Sequence, residues 1–379
     1  MLFAPSVQPN STAELRKTNR HNVFMEIYKK HSVSKEHIKQ NLGLSLPTVT
    51  QNLNELESIG IIRKNGVFCS TGGRKANAYA VVRDYKIAVG FFVQKASYSI
   101  EAIDLYGDVL CSESFECPFA NTPEYYHQLG TDLDGFIRRN HIDSASILGV
   151  NIALEAIVSP DHTTVTYSEV YKCTGLTRDE MCENIPYPCR LYHDSHATAE
   201  AELWARDDIR NAVIVILNRY MGGSLIIDSN ICEGDSFECV MEHMLLDKDG
   251  PKCYCGKTGC FESFCSTYAL ERDASEPLDS FFEHLRSGDE ARTRLWDRYL
   301  RYLAIGINNI RMMIDCEFII GGHMLKYLTE DDFARLKETV NHECPLSLGD
   351  IIISPSKFKS ESAAQGAALP IIKEYLQTI

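Results

Sequence analysis

The sequence predicts an α/β protein of two parts, a helix-turn-helix module with a β-hairpin followed by a larger α/β body. At 379 residues the chain is too long for one ordinary core. Residues 1–85 hold twelve Lys or Arg against six Asp or Glu, whereas the remaining 294 residues hold 26 against 46. Apolar residues of the first part recur with helical spacing, and strand-like and helix-like segments alternate from Tyr85 onwards.

The charge distribution along the chain indicates which kinds of molecule the protein can bind. The net charge of −14 hides a balance of +6 in the head and −20 in the body. A basic head on an acidic body favours a small nucleic-acid-binding module joined to a domain that repels DNA. No apolar run approaches the ~20 residues of a membrane helix, and the first residues do not resemble a signal peptide. We therefore expect a cytoplasmic protein, with residues 1–14 as a disordered lead-in.

Three helical segments in residues 15–84 predict a DNA-binding domain. The first is LRKTNRHNVFMEIYKKH, the second runs from a capping Ser34 to Gly43, and the third follows a capping Ser45. The short turn between the second and third helices is the layout of a helix-turn-helix. Spacings of three, four and three residues predict one buried face on the third helix, formed by Leu46, Val49, Leu53 and Leu56.

The opposite face of the third helix is predicted to contact DNA, because hydroxyls suit phosphates and amides suit adenine edges. Two β-rich runs, IIRKNGVFCS and NAYAVV, then form a hairpin with a basic tip, TGGRK. An arginine on such a tip can enter the minor groove. The alternative is a small helical cap with a solvated hairpin. The predicted DNA contacts are Ser45, Thr48, Thr50, Gln51, Asn54, Arg74 and Lys75, with Glu55 on the same face.

The body, residues 85–379, predicts an α/β domain with room for two lobes. Its predicted strands are KIAVGFFV, SYSIEAIDLYG, SILGVNIAL and AVIVILN. Its predicted helices are TPEYYHQLGTDLDGFIRRN, SHATAEAELWARDD and the closing SESAAQGAALPIIKEYL, with FIIGGHML after a further strand-like run.

A cysteine cluster in the body, EHMLLDKDGPKCYCGKTGCFE, predicts a metal site. His243, Cys253, Cys255 and Cys260 offer one imidazole and three thiolates, a set suited to tetrahedral Zn²⁺. Four protein ligands leave no open position for water, so the zinc is expected to be structural. The alternative is reduced cysteines in a loop. A redox dithiol is disfavoured, because the spacing is C-x-C rather than C-x-x-C.

These segments together resemble the ROK family, named for repressors, open reading frames and sugar kinases. LRKTNRHNVFMEIYKK, LGLSLPTVTQNLNELESIGII and STGGRK are similar to the winged helix-turn-helix of ROK repressors of the xylose-repressor type. HDSHATAEAE resembles the family's N-D-A-N-A-A-A-L-A-E, and the cysteine cluster resembles its G-H…C-x-C-G-x-x-G-C-x-E zinc signature. IIGGHM and SAAQGAAL match its late glycine motif and C-terminal helix.

The resemblance runs from Leu15 to the end of the chain and implies a fold. The body would be an actin-like (ribonuclease H-like, sugar kinase-like) pair of lobes that binds a sugar in the cleft between them. Lobe 1 would comprise about residues 85–192 with the C-terminal helix, 360–379, and lobe 2 about residues 193–359. The family assembles as dimers or tetramers.

Both phosphate loops of the family's kinases are altered in this sequence. The first, D-x-G-G-T, reads VGFFVQKA, with Gly90 at the aspartate position and Phe92-Val93 in place of the glycine pair. The second, G-T-G-I-G-G-G, reads NRYMGGS at residues 218–224. A backbone cradle for phosphates needs small residues, so we expect no kinase activity.

The sugar-binding positions that the resemblance implies are also altered. Val240 replaces a glutamate, Ala153-Leu154 replaces the P-G turn that closes the cleft, and histidines replace two asparagines around Asp194. The imidazoles would suit an anionic or phosphorylated ligand, or a pH-sensitive response. For His193-Asp194-x-His196, three interpretations stay open: binding of a sugar or sugar derivative, an ordinary structural role, or a second metal site. The expected ligand contacts are Asp194, His193, His196, His243 and Glu262.

The expected function is a bacterial repressor of carbohydrate-related genes, xylose metabolism among them. A homodimer or homotetramer would bind a palindromic double-stranded operator, and a sugar or sugar-derivative effector would shift the separation of its heads. One alternative is a regulator whose body has lost sugar binding and serves for oligomerisation or for docking a partner. Another is a sugar kinase with a DNA-binding head.

Overall fold

The computed structural model describes residues 11–68, 76–234, 239–346, 349–358 and 362–379. The predicted DNA contacts Arg74 and Lys75 and the first ten residues of the lead-in lie outside these ranges. None of the helices in the described ranges is long and apolar enough to cross a membrane.

Twelve α-helices and fifteen strands are found in the described residues. The helices are α1 (Thr12–Lys30), α2 (Lys35–Leu42), α3 (Leu46–Ser58), α4 (Pro123–Arg139), α5 (Arg178–Met181), α6 (Asp194–Ala205), α7 (Glu262–Cys265), α8 (Thr267–Ala274), α9 (Leu278–Arg286), α10 (Glu290–Arg311), α11 (Glu330–Glu343) and α12 (Ala363–Thr378). The strands are β1 (Val33–Ser34), β2 (Ile62–Phe68), β3 (Ala76–Val81), β4 (Ile87–Val93), β5 (Tyr98–Ile103), β6 (Val109–Phe115), β7 (Ile147–Leu154), β8 (Ile157–Val158), β9 (Val165–Tyr167), β10 (Cys189–His193), β11 (Ala212–Leu217), β12 (Met221–Ile227), β13 (Asn230–Ile231), β14 (Glu317–Gly321) and β15 (Ile353–Pro355). Short 3-10 turns cover Ser144–Ser146, Met241–His243 and His323–Lys326.

The head consists of α1, α2 and α3 with a small sheet in the order β1-β3-β2. The hydroxyls of Ser34 and Ser45 accept hydrogen bonds from the first turns of α2 and α3, and therefore fix where the two helices begin. Gly43 ends α2 with a φ of 63°, in the left-handed region that favours glycine. This arrangement confirms the predicted helix-turn-helix and its antiparallel hairpin.

Two details of the head differ from the prediction. Helix α1 begins at Thr12 rather than Leu15, because the hydroxyl of Ser11 accepts a hydrogen bond from the Glu14 N–H at 3.1 Å. Leu46 was predicted to be buried and is 44% exposed. At 100° per residue it lies roughly 70° from the centre of the buried face, so it reaches the edge of the stripe. That face is formed by Val49, Asn52, Leu53 and Leu56.

The first lobe of the body is built on a sheet in the order β10-β7-β4-β5-β6. Strands β10, β7 and β4 are parallel, and β4, β5 and β6 form an antiparallel meander. Helix α4 buries Leu129, Leu133 and Phe136 on one face of this sheet. Helix α12 packs on the other face, against β4 and β7. The sheet therefore has both faces covered, as expected for mixed α/β layers.

The second lobe is built on a sheet in the order β13-β12-β11-β14-β15. Strands β11, β14 and β15 are parallel, and β12 and β13 are antiparallel to their neighbours. A cluster of large aromatic side chains from α9, α10 and β14 fills its core, including Phe281, Trp296 and Phe318. The two sheets confirm the predicted α/β body with two lobes.

Helix α12 is held closely between β4 and α6. A Cβ atom on Gly90 would lie 1.8 Å from the carbonyl oxygen of Ala364, and one on Gly366 would lie 1.8 Å from that of Ala197. Only glycine allows these backbones to approach so closely. Gly90, predicted to stand where the family's kinases have an aspartate, is therefore a packing position for α12.

The head packs directly on the body. The Tyr28 hydroxyl donates to the carbonyl of Leu105 at 2.8 Å, and its ring stacks on Tyr106 with 4.5 Å between centroids. Arg20 donates from Nε to the main-chain oxygen of Ile379, the residue after α12, at 3.1 Å. Buried side chains of α1 and α12 belong to one apolar cluster. A displacement of α12 would therefore also shift the helices of the head that pack against it.

Candidate functional site

The four predicted metal ligands converge in the structure. One ligand atom of each of His243, Cys253, Cys255 and Cys260 can be chosen so that all four lie within 4.8 Å of one another. Cys253 Sγ is 3.7 Å from His243 Nδ1, and Cys255 Sγ is 3.7 Å from Cys260 Sγ. Tetrahedral zinc with Zn–S bonds of ~2.3 Å separates two sulfurs by ~3.8 Å. The donor set and its spacing therefore fit zinc.

Two glycines shape the loop that carries these ligands. Gly256 and Gly259 have φ values of 87° and 73°. A Cβ atom on Gly259 would lie 1.6 Å from the carbonyl oxygen of Asp247, so the loop can close only around a glycine. Burial raises the pKa of the Cys253 and Cys260 thiols, and a bound Zn²⁺ would oppose that effect by favouring the thiolates.

The metal cluster is the only group of three or more potential ligands found in the described part of the chain. The second metal site considered at His193-Asp194-x-His196 therefore gains no support from these residues.

A small cavity lies between the two lobes, next to the metal ligands. Its volume is about 40 Å³, enough for a few water molecules, whereas pockets for small ligands measure ~300–1,000 Å³. The cleft is therefore closed in this structure. Its wall includes Glu155, Glu169, His193, Asp194, Tyr220, Met221, Glu242, His243 and Tyr254.

Three of the five predicted ligand contacts line this cavity: His193, Asp194 and His243. His193 ends β10 and Asp194 begins α6, and His193 Nε2 lies 3.3 Å from Asp194 Oδ1. His243 Nε2 lies 4.0 Å from a carboxylate oxygen of Glu242. The same histidine thus presents one nitrogen near the metal ligands and the other near the cavity.

His196 is placed differently from the expectation, because it does not line the cavity. Its buried ring lies 5.7 Å from that of His162 and 5.4 Å from that of Tyr192. Its two nitrogens lie 3.9 Å from Glu200 and 3.6 Å from Glu233. Residues two apart on a helix point to nearly opposite sides, so His196 faces away from the surface that Asp194 presents.

Glu262 also differs from the expectation, since it lies behind the cavity wall rather than in it. One of its carboxylate oxygens accepts a hydrogen bond from the Met221 N–H at 2.5 Å. Burial raises the pKa of Glu262 to about 8. Because Met221 begins β12 and lines the cavity, Glu262 positions the wall and does not contact the space within it.

Two further residues complete the site and were not singled out from the sequence. Glu242 is 5% exposed, its Oε2 has no hydrogen-bond partner among the described residues, and burial raises its pKa to about 7. Tyr254 lies between His243 and Tyr220, with ring centroids 5.2 Å and 5.1 Å away. Both are adjacent in sequence to a predicted metal ligand, and this adjacency is the sequence signal that could have identified them.

The segments predicted to replace the phosphate loops lie partly in strands β4 and β12. Phe92 and Val93 are buried at the end of β4. In β12, a Cβ atom on Gly223 would lie 1.7 Å from Met241 Cε and 2.9 Å from the Ile214 carbonyl oxygen, so this glycine allows the neighbouring strand and Met241 to pack closely. Asn218 accepts a hydrogen bond from the His323 N–H at 2.7 Å. Part of each segment is therefore taken up by a strand.

The described DNA-contact candidates lie on α3 or at its cap. The Ser45 hydroxyl caps the helix and is 2.8 Å from that of Thr48, which is half-buried. Glu55 forms an ion pair with Arg16 of α1. The solvent-facing side of α3 is formed by exposed Leu46, Pro47, Gln51, Asn54 and Ser58, with half-buried Thr50 and Glu55 among them.

Residues 96–374 match the model of the ROK family. The chain belongs to the ROK family. It is similar to the xylose repressor of Bacillus spizizenii, with 22% identity over 376 residues that span 96% of this chain and 97% of that protein.

Solved ROK structures show the same fold. A ROK family transcriptional regulator, a homologue of the E. coli MLC protein, superposes with a TM-score of 0.76 at 19% identity, over 96% of this chain and 97% of its own. The ROK hexokinase of Thermus thermophilus superposes with a TM-score of 0.63 at 19% identity, over 77% of this chain and 98% of its own. The ROK body is thus common to a regulator and a kinase, and the first of these two matches extends over nearly the whole chain.

Proposed function

We propose that the chain is a transcriptional repressor of carbohydrate-related genes, which binds a double-stranded operator as a cytoplasmic homodimer or homotetramer. The observation that carries this proposal is the exposed face of α3, where Thr50, Gln51 and Asn54 stand in line on a helix that buries its other side in the head. Hydroxyls and carboxamides on such a helix suit base edges in the major groove. Similarity to the Bacillus xylose repressor over 96% of the chain supports the same role.

Contacts to the DNA backbone would surround this reading face. Ser45 and Thr48 stand at the start of α3, where their hydroxyls suit a phosphate. Arg63 and Lys64 are exposed on β2, beside the helix. Arg74 and Lys75 remain predicted contacts at the hairpin tip. The acidic body would keep binding confined to the head.

The body would act as a zinc-braced sensor without kinase activity. Zn²⁺ held by His243, Cys253, Cys255 and Cys260 would fix the loop that places His243 at the cavity, a structural role. Asp194, His193 and His243 would contact a sugar or sugar derivative, and Glu262 would position the wall. Packing of α12 against Gly90 supports the absence of a phosphate loop.

Helix α12 would carry the effector signal to the head. Asp194 begins α6, and α6 meets α12 where Gly366 faces the backbone of Ala197. The residue after α12 accepts the hydrogen bond of Arg20 on α1. Movement of the lobes on effector binding would therefore displace the two heads of a dimer and change their match to the operator half-sites.

A second candidate is a regulator whose body no longer binds an effector and serves for oligomerisation. The cavity of about 40 Å³ favours it, because a sugar does not fit without movement of the walls. A sugar kinase with a DNA-binding head is disfavoured by Phe92 and Val93, which are buried in β4 at the positions where the family's kinases have a glycine pair.

Selection of genomic fragments by the purified protein tests the main proposal. We expect enrichment of a palindromic sequence, and nanomolar binding that the double variant Gln51→Ala, Asn54→Ala abolishes. Gln128→Ala removes an exposed amide from α4 and is the matched control. Failure to enrich any sequence, or equal affinity of the double variant, would contradict DNA recognition by α3.

A further inference from the structure

The cavity between the lobes has an acidic wall. Four carboxylates line it, from Glu155, Glu169, Asp194 and Glu242, together with the two histidines His193 and His243. No Lys or Arg lines it within the ranges that the structure describes. A phosphate or carboxylate entering this space would therefore meet carboxylates and no lining Lys or Arg, and repulsion between like charges is weakly screened away from water. The acidic wall therefore disfavours binding of the anionic ligand that the histidines alone suggest.

Three of the four wall carboxylates already have partners. Asp194 lies 3.3 Å from the imidazole of His193. Glu155 accepts a hydrogen bond from the Tyr171 hydroxyl at 3.0 Å. Glu169 forms an ion pair with Lys172. Each of the three groups therefore has a partner without any ligand.

Glu242 is the exception. Its side chain is buried and lines the cavity, yet its Oε2 has no hydrogen-bond partner among the described residues. Native structures rarely leave a buried acceptor unsatisfied, because the group loses its water without replacement. A ligand with a hydrogen-bond donor near Oε2 would remove this cost. The unpaired oxygen therefore indicates where the donor group of a ligand would bind.

We propose that Glu242 is an effector contact, and that it selects a sugar bearing an amine over a neutral sugar and against a phosphorylated or acidic one. An ammonium group donates up to three hydrogen bonds and carries the charge that the wall lacks. The ligand would enter when the lobes move apart, and closure would bring Oε2 onto the amine. This inference rests on the effector-sensing part of the proposed function.

The test measures ligand binding to the full-length, zinc-loaded protein by thermal shift and calorimetry. The panel contains glucose, mannose and xylose, then glucosamine and mannosamine, then glucose 6-phosphate and glucosamine 6-phosphate. We expect an amino sugar to bind at least tenfold more tightly than its neutral parent, and the phosphates not to bind. A ligand that binds only the native state raises the unfolding temperature.

Two variants assign the preference to a residue. Glu242→Gln keeps the size of the side chain and is expected to remove the tenfold preference for the amine. Glu169→Gln removes another wall carboxylate, one that is already paired with Lys172, and should keep the preference. Zinc content and unfolding temperature of both variants establish that each is folded, because Glu242 adjoins the metal ligand His243.

The possible failures can be told apart. Equal binding of amino and neutral sugars, unchanged in Glu242→Gln, would overturn the role of Glu242 and leave sugar sensing standing. Tight binding of a 6-phosphate would overturn the exclusion of anions in the same way. If no member of the panel shifts the unfolding temperature while specific DNA binding persists, the inference fails together with effector sensing, and the DNA-binding proposal stands.

Discussion

Arg20 of α1 donates a hydrogen bond to the main-chain oxygen of Ile379, directly after α12, at 3.1 Å. The contact joins α1 to the end of α12 across 359 residues. The same α12 packs without any intervening side chain on β4 at Gly90 and on α6 at Gly366. One helix therefore contacts the head, the first sheet and the helix that begins at Asp194.

Removal of this contact should loosen the head without unfolding the body. A hydrogen bond from a charged donor contributes ~1.5–3 kcal/mol when buried, and about 1 kcal/mol is expected for half-buried Arg20. Arg20→Ala should therefore speed amide hydrogen exchange in α1 and in the last turn of α12, but not in α11. Lys17→Ala, which removes an exposed cation from the same helix, is the control. Unchanged exchange in α1 would show that the contact does not restrain the head.

Restoring the kinase aspartate at position 90 should damage the fold and create no kinase. A Cβ atom there would lie 1.8 Å from the Ala364 carbonyl oxygen, so Gly90→Asp must push α12 off the sheet. We expect a stability loss of at least about 3 kcal/mol in urea unfolding and no ATP-dependent phosphorylation of hexoses. Gly321→Ala is the control, since its nearest neighbour is Ser356 Cβ at 3.5 Å. A stable Gly90→Asp variant would show that α12 is packed less closely.

Local signals explain which parts of the fold could be predicted. Ser34, Gly43 and Ser45 act within one helical turn, so the head helices follow from the sequence alone. The metal cluster is equally local, because its four ligands lie within 18 residues. The prediction that Leu46 is buried was wrong, because Leu46 lies at the edge of the apolar face of α3. Only the packing of α3 in the fold decides whether such an edge position is covered.

The cleft could be predicted only in part, since it forms between distant segments. His196 was expected at the cleft because it adjoins Asp194, but the turn of α6 carries it to the opposite side. Glu242 could be recognised as a site residue only from the fold, which places it on the same cavity wall as His193, some 50 residues earlier in the sequence. Its unpaired oxygen is a property of that three-dimensional setting and has no sequence pattern.

Zinc removal should destabilise the body rather than abolish a chemical step. The four ligands close the coordination sphere, and metal binding to the native state adds to folding stability. We expect about one zinc per chain, and an unfolding temperature at least about 5 °C lower in Cys255→Ser or after chelation. Cys232→Ser, at an exposed cysteine outside the cluster, should change neither value. Absence of zinc from the purified protein would contradict the assignment.

Glu202 should give the protein a specific pH dependence. Glu202 lies on α6, and its carboxylate accepts a hydrogen bond from the Lys357 N–H at 3.0 Å. Burial raises the pKa of this glutamate. The folded state therefore keeps the proton at pH values where the unfolded chain, with a pKa near 4.5, has released it. Unfolding then releases a proton, and stability falls as the pH rises from about 4.5 through the raised pKa.

The variant Glu202→Gln isolates this contribution, because its amide does not titrate. The difference in unfolding free energy, wild type minus variant, should decrease as the pH rises from 4 to 7 in urea titrations. Glu283→Gln, at an exposed glutamate of α9, provides the control. Parallel stability curves for wild type and Glu202→Gln would show that burial does not perturb this carboxyl.

The exposed face of α3 should read an operator half-site rich in A·T pairs. Gln51 and Asn54 offer carboxamides, which pair with adenine, and the face presents no Lys or Arg, which commonly read guanine. Leu46, exposed in the first turn, would contact a thymine methyl group. Replacement of that thymine by deoxyuridine removes only the methyl, and about fourfold affinity should be lost at ~0.8 kcal/mol per buried carbon.

A double-mutant cycle checks the contact between Leu46 and the thymine. Leu46→Ala should lose about the same affinity as the deoxyuridine substitution, and the two changes together should cost little more than either one alone. Ile59→Ala, an exposed apolar residue at the other end of α3, should keep full sensitivity to the methyl. Additive losses would show that Leu46 contacts some other part of the DNA. If wild-type affinity is indifferent to deoxyuridine throughout the half-site, α3 reads no thymine methyl at all.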